Sequence, residues 1–214
     1  SRNLVSVLES NVVGDRLYTV CESGGISLQE RLKQDCSVED AIWWTRQGLQ
    51  GLQDLESKGF RHGDVRPQNI VIDSNGKVRL TSFLFSDPIG SGRHNSQLLT
   101  AHVQYMPPDR LYMEASPQAD DDIYGLGIVF FEILTGRLPR ASGGPWKYLQ
   151  SATEFELDTN TLMNAGVSPR LSGVICKMLD RTPESSSHRD LIHDLIGLEL
   201  ETMRSFISFI SFTR

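Results

Sequence analysis

The segment from His62 to Asn69, which reads HGDVRPQN, is the part of the chain whose residue types and spacing best suit chemistry. Asp64 is a carboxylate that can act as a general base, and Asn69, five residues later, is an amide that can hold a metal ion. Arg66 lies between them. The same polar side chains can also serve only to hold a loop in shape, by satisfying backbone groups.

The elements on either side of this loop must position it. From Ser37, a residue suited to an N-cap, to about Lys58, apolar residues recur at helical spacing, and the stripe ends at Gly59. This pattern predicts a long core helix before the loop. After the loop, Ile70–Ile72 and Val78–Leu80 flank a polar turn, which is the pattern of a β-hairpin.

Two β-rich stretches open the chain, and helices dominate its second half. Asn3–Leu8 and Arg16–Cys21 predict a hairpin, and a break at Ser23–Gly25 precedes a short helix that Ser27 can cap. Ser86–Gln97 predicts a long exposed loop. The first of three later helices is apolar on nearly every face and is therefore expected to be buried. The three segments are Ile123–Thr135, Ser168–Leu179 and Arg189–Leu200.

The composition excludes several classes of function. The 214 residues carry 21 Lys and Arg against 27 Asp and Glu, a net charge of −6 without a basic block, so nucleic acid is not an expected partner. No apolar run reaches the roughly 20 residues of a membrane span. Cys21, Cys36 and Cys176 form no CxxC pair, so neither disulfides nor a zinc site are expected, which favours a reducing intracellular, cytoplasmic compartment.

The order of these signals resembles the large lobe of the Ser/Thr-type protein kinases, from roughly Asn3 to Leu195. The H-R-D motif of that family corresponds to residues 62–64 (HGD), and its metal-binding Asn, five residues after the Asp, corresponds to Asn69. Its D-F-G corresponds to residues 82–84 (SFL). The Y-M-A-P-E and D-V-W-S-L-G motifs correspond to residues 105–109 (YMPPD) and 122–127 (DIYGLG).

The resemblance implies an α+β, kinase-like fold in which a mainly helical large lobe follows a truncated β small lobe. Residues 1–22 are expected to be the remnant of the small lobe, its strands four and five, and residues 23–200 to be the large lobe. Residues 201–214 are expected to be a disordered tail, because their Phe and Ile residues lack a polar face. The chain opens with Ser1, so a glycine-rich loop and a strand-three Lys would have to lie upstream.

The resemblance also assigns roles to individual residues near the loop. Asp64 is interpreted as a vestigial base, and Arg66 falls at the Lys of the K-P pair of Ser/Thr-type kinases. Cys21 falls at the gatekeeper position, and with Glu22 and Val71 it could form part of an adenine pocket.

A second set of positions is expected to hold the fold together. His62 and Phe83 resemble two members of a hydrophobic stack, with Val7 as a third member. Asp122 is expected to tie that stack to the central helix through backbone hydrogen bonds.

Four departures from the family pattern bear on function. Ser82 replaces the metal-binding Asp, and a neutral hydroxyl cannot supply the charge that anchors magnesium against nucleotide phosphates. No metal or other cofactor is therefore expected, except ATP bound without effective magnesium. Gly63 replaces the Arg that pairs with a loop phosphate. Ser186 stands where the family has an Arg that pairs with the A-P-E Glu, here Asp109, so both ends of that ion pair have changed.

These features predict a pseudokinase, a catalytically impaired kinase-like domain that acts as a regulatory or interaction module with protein partners, away from membranes. One alternative is an active or weakly active Ser/Thr kinase whose missing strands lie upstream. A second is a small-molecule phosphotransferase, since such enzymes also use an H-G-D loop. Trp43 and Trp44 cannot both face the core of one helix, so one of them could mark a partner surface.

Overall fold

The computed structural model describes residues 1–22, 25–91, 103–111, 118–139, 159–182 and 186–212, with seven strands and seven α-helices in those ranges. The strands are β1 (Val7–Val13), β2 (Arg16–Cys21), β3 (Ile26–Ser27), β4 (Phe60–Arg61), β5 (Ile70–Ile72), β6 (Val78–Leu80) and β7 (Asp87–Pro88). The helices are α1 (Leu28–Arg31), α2 (Val38–Glu56), α3 (Pro108–Leu111), α4 (Asp120–Thr135), α5 (Thr159–Asn164), α6 (Pro169–Leu179) and α7 (His188–Phe212). Short 3-10 turns cover Pro67–Asn69, Phe83–Phe85 and Val103–Tyr105.

The helix before the polar loop forms as the sequence predicts, and its start is fixed by a capping box. Ser37 Oγ accepts a hydrogen bond from the Asp40 N–H at 3.0 Å, and Asp40 Oδ2 accepts one from the Ser37 N–H at 3.4 Å. These two bonds satisfy backbone donors that a helix start otherwise leaves free. The chain leaves the helix through Gly59, whose φ of +79° favours glycine.

Helix α4 lies in the centre of the described core and packs against α2, α6 and the turn that ends at Tyr105. Eleven of its 16 residues are buried, which confirms the prediction made from its apolar faces. Two glycines let neighbours approach closely. A Cβ on Gly127 would lie 2.9 Å from Met178 Cβ, and one on Gly125 would lie 3.2 Å from the Val65 carbonyl oxygen.

The strands form three small antiparallel groups, β1–β2, β3–β5–β6 and β4–β7. The first strand begins at Val7 and not at Asn3 as the sequence suggests, because the segment before it runs beside β6. The Val5 N–H donates to the Leu80 carbonyl at 2.9 Å, and the Leu80 N–H donates to the Asn3 carbonyl at 2.9 Å. Val5 is buried by this contact, whereas every residue of β1 is exposed.

The last helix differs from the sequence expectation. Its backbone is helical from His188 to Phe212, so most of the tail at 201–214 that was expected to be disordered continues a helix that packs on α2. The expected break at Ser23–Gly25 and the expected loop at Ser86–Gln97 both lie partly outside the described residues. Among the helices described, none is both long enough and apolar enough to cross a membrane.

Two glycines in helices predict opposite effects of the same substitution. Gly51 of α2 lies under the N-terminal segment, and a Cβ there would approach the Asn3 carbonyl oxygen to 2.8 Å. That oxygen is held by Leu80, so Gly51→Ala must break or displace a fixed contact. We expect Gly51→Ala to lower the free energy of unfolding by about 1–2 kcal/mol. Gly173→Ala in α6, where a Cβ meets nothing within 4 Å, should raise it by about 0.5–1 kcal/mol.

Urea unfolding of both variants checks this pair, with the slope of the unfolding transition as a test that the unfolded states are alike. Equal gains in stability for both variants would contradict a close approach of Asn3 to α2.

Candidate functional site

The polar loop is fastened to the central helix by one buried carboxylate. Asp122, near the start of α4, accepts hydrogen bonds from the backbone N–H groups of His62 (2.5 Å) and Gly63 (2.8 Å). Burial raises the pKa of Asp122 to about 6, and the two N–H donors act in the opposite direction because they stabilise the charged form. The geometry therefore provides the backbone hydrogen bonds that the sequence suggested for this residue.

His62 is a neutral core residue whose protonated nitrogen is defined by its partners. Its Nδ1 accepts from the Asp64 N–H at 3.2 Å, so Nε2 carries the proton and donates to the Thr81 carbonyl at 3.0 Å. Complete burial lowers the pKa of His62 to about 4. The ring packs against Phe83, with 5.4 Å between centroids, as the expected stack requires. Val7, the expected third member, is 48% exposed.

Asp64 is held from two sides by the other polar residues of the loop. The Arg66 Nε atom lies 3.0 Å from Asp64 Oδ1. The Asn69 Nδ2 atom donates to Asp64 Oδ2 at 2.6 Å and to the Asp64 backbone carbonyl at 2.8 Å. The structure thus brings together the three side chains that the sequence singled out. Asp64 is buried, and its carboxylate has protein partners on both oxygens.

Ser82 stands where the family has its metal-binding Asp, and its backbone is unusual. With φ 67° and ψ 60° it is the one non-glycine residue with positive φ in the described part of the chain. Asp and Asn tolerate this conformation better than Ser does. The side chain is exposed and caps nothing in the turn that follows. The hydroxyl of Ser82 brings no charge to a magnesium site, so Asn69, whose Nδ2 donates to Asp64, is the other candidate ligand here.

A second arginine fills the space beside Gly63, and the sequence analysis missed it. Gly63 has φ +81°, and a Cβ there would lie 2.4 Å from the Phe85 carbonyl oxygen and 3.0 Å from Arg61 Nη1. Arg61 is buried and pairs with Asp87 at 3.2 Å, where β4 and β7 meet. Ser86 Oγ also donates to the Arg61 carbonyl. The segment after residues 82–84 is therefore attached to the loop by an ion pair that needs no phosphate.

The ion pair of Asp109 corrects the sequence interpretation. We expected both of its ends to have changed, with Ser186 at the position of the arginine. In the structure Arg181 takes that place: its Nε and Nη2 atoms donate to the two Asp109 carboxylate oxygens at 3.3 and 3.0 Å. Nη2 also donates to Asp121 at 2.8 Å. The sequence signal was the presence of Arg181 five residues before Ser186. Closeness in sequence alone does not show that Arg181 pairs with Asp109 in place of an arginine at position 186.

The three residues of the expected adenine pocket lie on two strand segments that Arg79 links. Cys21 ends β2 and is half-buried, Glu22 follows it and is exposed, and Val71 is the middle residue of β5. Arg79, the partner of Val71 on β6, has its Nη1 atom 3.8 Å from Glu22 Oε1. An adenine pocket at these residues stays a prediction.

The neutral, buried His62 predicts an acid dependence of stability. The unfolded chain takes up a proton near pH 6.5 and the folded chain only near pH 4, so His62 destabilises the fold as the pH falls through this window. The total is about 3 kcal/mol, from about 1.4 kcal/mol per pH unit. Asp122, with a folded pKa of about 6, acts in the opposite direction between pH 6 and 4.

Comparison with His62→Gln isolates the histidine, because the contribution of Asp122 is common to both proteins. We expect the stability of the native chain relative to the variant to fall by about 3 kcal/mol from pH 7 to pH 4 in urea unfolding. The NMR titration of the imidazole C–H protons is the direct check. An imidazole that titrates near pH 6.5 in the folded protein would contradict the buried, neutral form.

The Arg61–Asp87 pair predicts a local effect of charge removal. Asp87→Asn leaves a buried guanidinium without its carboxylate, which costs about 2–4 kcal/mol. We expect the loss at the β4–β7 contact, where the Ile89 N–H donates to the Gly59 carbonyl at 2.8 Å. Hydrogen exchange of the Ile89 amide should accelerate at least tenfold.

The control is Glu30→Gln, which breaks the exposed Glu30–Lys33 pair and should change stability by less than about 0.5 kcal/mol. If Asp87→Asn and Glu30→Gln gave the same small effect, the Arg61–Asp87 pair would not hold this segment.

Comparison with known proteins places these features in a family. A family model described as the protein kinase domain matches residues 1–196. The chain is 32% identical over 151 residues to the serine/threonine-protein kinase PAK 1 of Mus musculus, which covers 69% of this chain and 27% of that protein. It is 26% identical over 141 residues to the probable serine/threonine-protein kinase PknB of Lactococcus lactis subsp. lactis (strain IL1403), which covers 64% of this chain and 22% of that protein.

The chain therefore spans about a quarter of the length of these relatives. The family match extends over nearly the whole chain and includes both the polar loop and the central helix that holds it. The α+β, kinase-like fold expected from the motifs is confirmed by this match and by the mixture of small sheets and helices. The chain belongs to the protein kinase domain family.

Proposed function

We propose that this kinase-family domain is catalytically impaired and acts inside the cell as an interaction or regulatory module for protein partners. The observation that carries the proposal is Ser82. Phosphoryl transfer depends on metal ions that neutralise the charge developing on the phosphates, and the residue at this position supplies an uncharged, exposed hydroxyl. Loss of one such electrostatic contact costs about 100- to 1000-fold in rate.

The polar loop keeps its shape through its own side chains. The Asp64 carboxylate accepts hydrogen bonds from Arg66 and Asn69, an arrangement that is compatible with the proposal and does not by itself distinguish it from an active kinase. A fold that keeps its loop, its central helix and its anchoring ion pairs can present a rigid surface to a partner without transferring phosphate.

A weakly active Ser/Thr kinase is the second candidate, and the intact loop favours it. Asp64 and Asn69 keep the residue types of the family, Arg66 keeps the positive charge of its Lys, and the three side chains lie together. The curated relatives are described as serine/threonine-protein kinases. The third hypothesis, a small-molecule phosphotransferase, is based on the glycine of the H-G-D motif at residues 62–64. The close approach of Phe85 to Gly63 gives a local steric reason for that glycine.

Nucleotide binding with and without magnesium tests the proposal on the full chain. We expect magnesium to change the affinity of the native chain for a fluorescent ATP analogue less than twofold. We also expect no transfer of phosphate to a generic protein substrate. Ser82→Asp restores a carboxylate at a backbone conformation that Asp tolerates. We expect this variant to make nucleotide affinity depend on magnesium by at least tenfold.

Ser91→Asp is the matched control, since it adds the same charge to an exposed residue outside the loop and should not create magnesium dependence. Magnesium-dependent transfer by the native chain that disappears in Asp64→Asn would overturn the proposal in favour of the active kinase.

A further inference from the structure

The last helix, α7, carries two apolar stripes, and only one of them lies in the core. Leu191, Leu195 and Leu198 are buried, and α7 packs against α2 and α6. One such stripe is enough to hold a helix on the surface of a domain. The second stripe begins at Ile196, and no contact in the described part of the chain covers it.

The second stripe has the spacing of a coiled-coil seam. Ile196, Leu200 and Met203 are 38%, 49% and 62% exposed, although all three are large apolar side chains. In the sequence, Ile207 and Ile210 follow in the same pattern, with steps of four, three, four and three residues along the stripe. The backbone is helical over this whole range. A repeat of this kind keeps one face of a helix against a second helix over several turns.

The apolar part of the stripe has a defined start. The two preceding positions of the same repeat are Arg189 and His193, and both are exposed. These polar side chains suit contact with water, whereas the positions from Ile196 to Ile210 do not. The apolar part is about 21 Å long at the rise of an α-helix. A partner is therefore needed over two heptads only.

The neighbouring helices occupy both flanks of the stripe. On one flank, Arg46 of α2 pairs with Glu199 at 2.8 Å. The Arg46 guanidinium also lies 4.6 Å from the ring centroid of Trp43, which is 41% exposed. On the other flank, Arg170 of α6 pairs with Glu201. Only the stripe between these two ion pairs is open, so one further helix can lie along it.

The charges beside the stripe are complementary to a second copy of the same helix running in the same direction. Glu199 directly precedes Leu200 on one side of the stripe, and Arg204 directly follows Met203 on the other side. In a parallel helix pair, residues at these two positions lie beside each other across the contact. Arg204 is exposed and has no acidic partner among the described residues. Glu199 keeps 19% of its side chain exposed.

We propose that α7 binds α7 of a second copy of this chain and forms a short parallel coiled coil over residues 196–210. Ile196, Leu200 and Met203 pack against the same residues of the partner, and Arg204 pairs with the partner's Glu199. Two heptads are a marginal length, so the pair forms and dissociates with the concentration of the chain. The proposal does not depend on the proposed function, because a kinase that transfers phosphate would keep the same helix.

Sedimentation equilibrium of the full chain at roughly 1–200 µM tests for self-association. We expect the average mass to rise from the 24.0 kDa of one chain toward that of two chains. Leu200→Gln removes an apolar side chain from both sides of the contact and should weaken association at least roughly tenfold. Met163→Gln is the matched control, because Met163 is 61% exposed on α5 and lies outside the stripe. It should change association by less than about 1.5-fold.

A second pair of variants tests the charges. Arg204→Glu places a carboxylate beside the partner's Glu199, and we expect association to weaken about three- to tenfold. Lys58→Glu makes the same change of charge at an exposed residue just after α2, away from the stripe. It should have less than about a third of that effect. All four variants replace exposed side chains, so far-UV circular dichroism should show unchanged folding.

The direction of the helices is tested by cross-linking. In a parallel pair, position 203 of one chain faces position 203 of the other. Oxidised glutathione should therefore join two copies of Met203→Cys through a disulfide and leave Met163→Cys monomeric. The native chain, with Cys21, Cys36 and Cys176, gives the background of cross-linking.

Four results would overturn the proposal. The first is a chain that stays monomeric up to the highest concentration, including one that binds phosphatidylserine-containing vesicles instead. The second is an average mass that rises to three chains or more. The third is an equal effect of Leu200→Gln and Met163→Gln, and the fourth is a dimer in which Met203→Cys does not cross-link. None of these results bears on the magnesium experiment, so failure of the helix pair and failure of the proposed function are distinguishable.

Discussion

The buried carboxylate of Asp122 is the constraint on which the rest of the site depends. A charge at this depth is costly unless donors surround it, and the two donors are backbone N–H groups of the polar loop. The loop must therefore stay against the start of α4, and the buried α4 must stay in the core to present the carboxylate. This requirement concerns the fold alone, so it persists whether or not the loop performs chemistry.

The backbone conformation of the loop can be maintained without catalytic activity, and this explains the unusual residues around it. Ser82 keeps a left-handed backbone that suits Asp, although the hydroxyl cannot do what a carboxylate does. Gly63 stands where the family has an arginine. The neighbouring Arg61 occupies the adjacent space and binds the next segment through Asp87. At both positions the backbone geometry is accommodated locally, whereas the charges near the loop differ from the family pattern. The buried Arg61 thus has a carboxylate partner in Asp87, whereas no charge replaces the missing carboxylate at the exposed Ser82.

The sequence predicted what depends on neighbours along the chain. The caps at Ser27 and Ser37, the burial of α4 and the β5–β6 hairpin all follow from local spacing, and all are present. It failed where a contact joins distant segments. The pairing of Arg181 with Asp109 spans 72 residues, and the bonds of Asn3 and Val5 to Leu80 shift the start of β1. Sequence periodicity does not contain this information, because a residue at a different position in the sequence can make the same contact in space.

The polar loop and the start of α2 differ in whether the chain itself supplies partners for their buried polar groups. At the loop, Asp64 accepts hydrogen bonds from Arg66 and Asn69, which are side chains of the same loop. At the start of α2, the buried Nε1 atom of Trp44 has no acceptor in the described part of the chain. Binding free energy is the difference between the bonds formed and the bonds given up. By that measure the bonds among Asp64, Arg66 and Asn69 fix the shape of the loop before any ligand is bound.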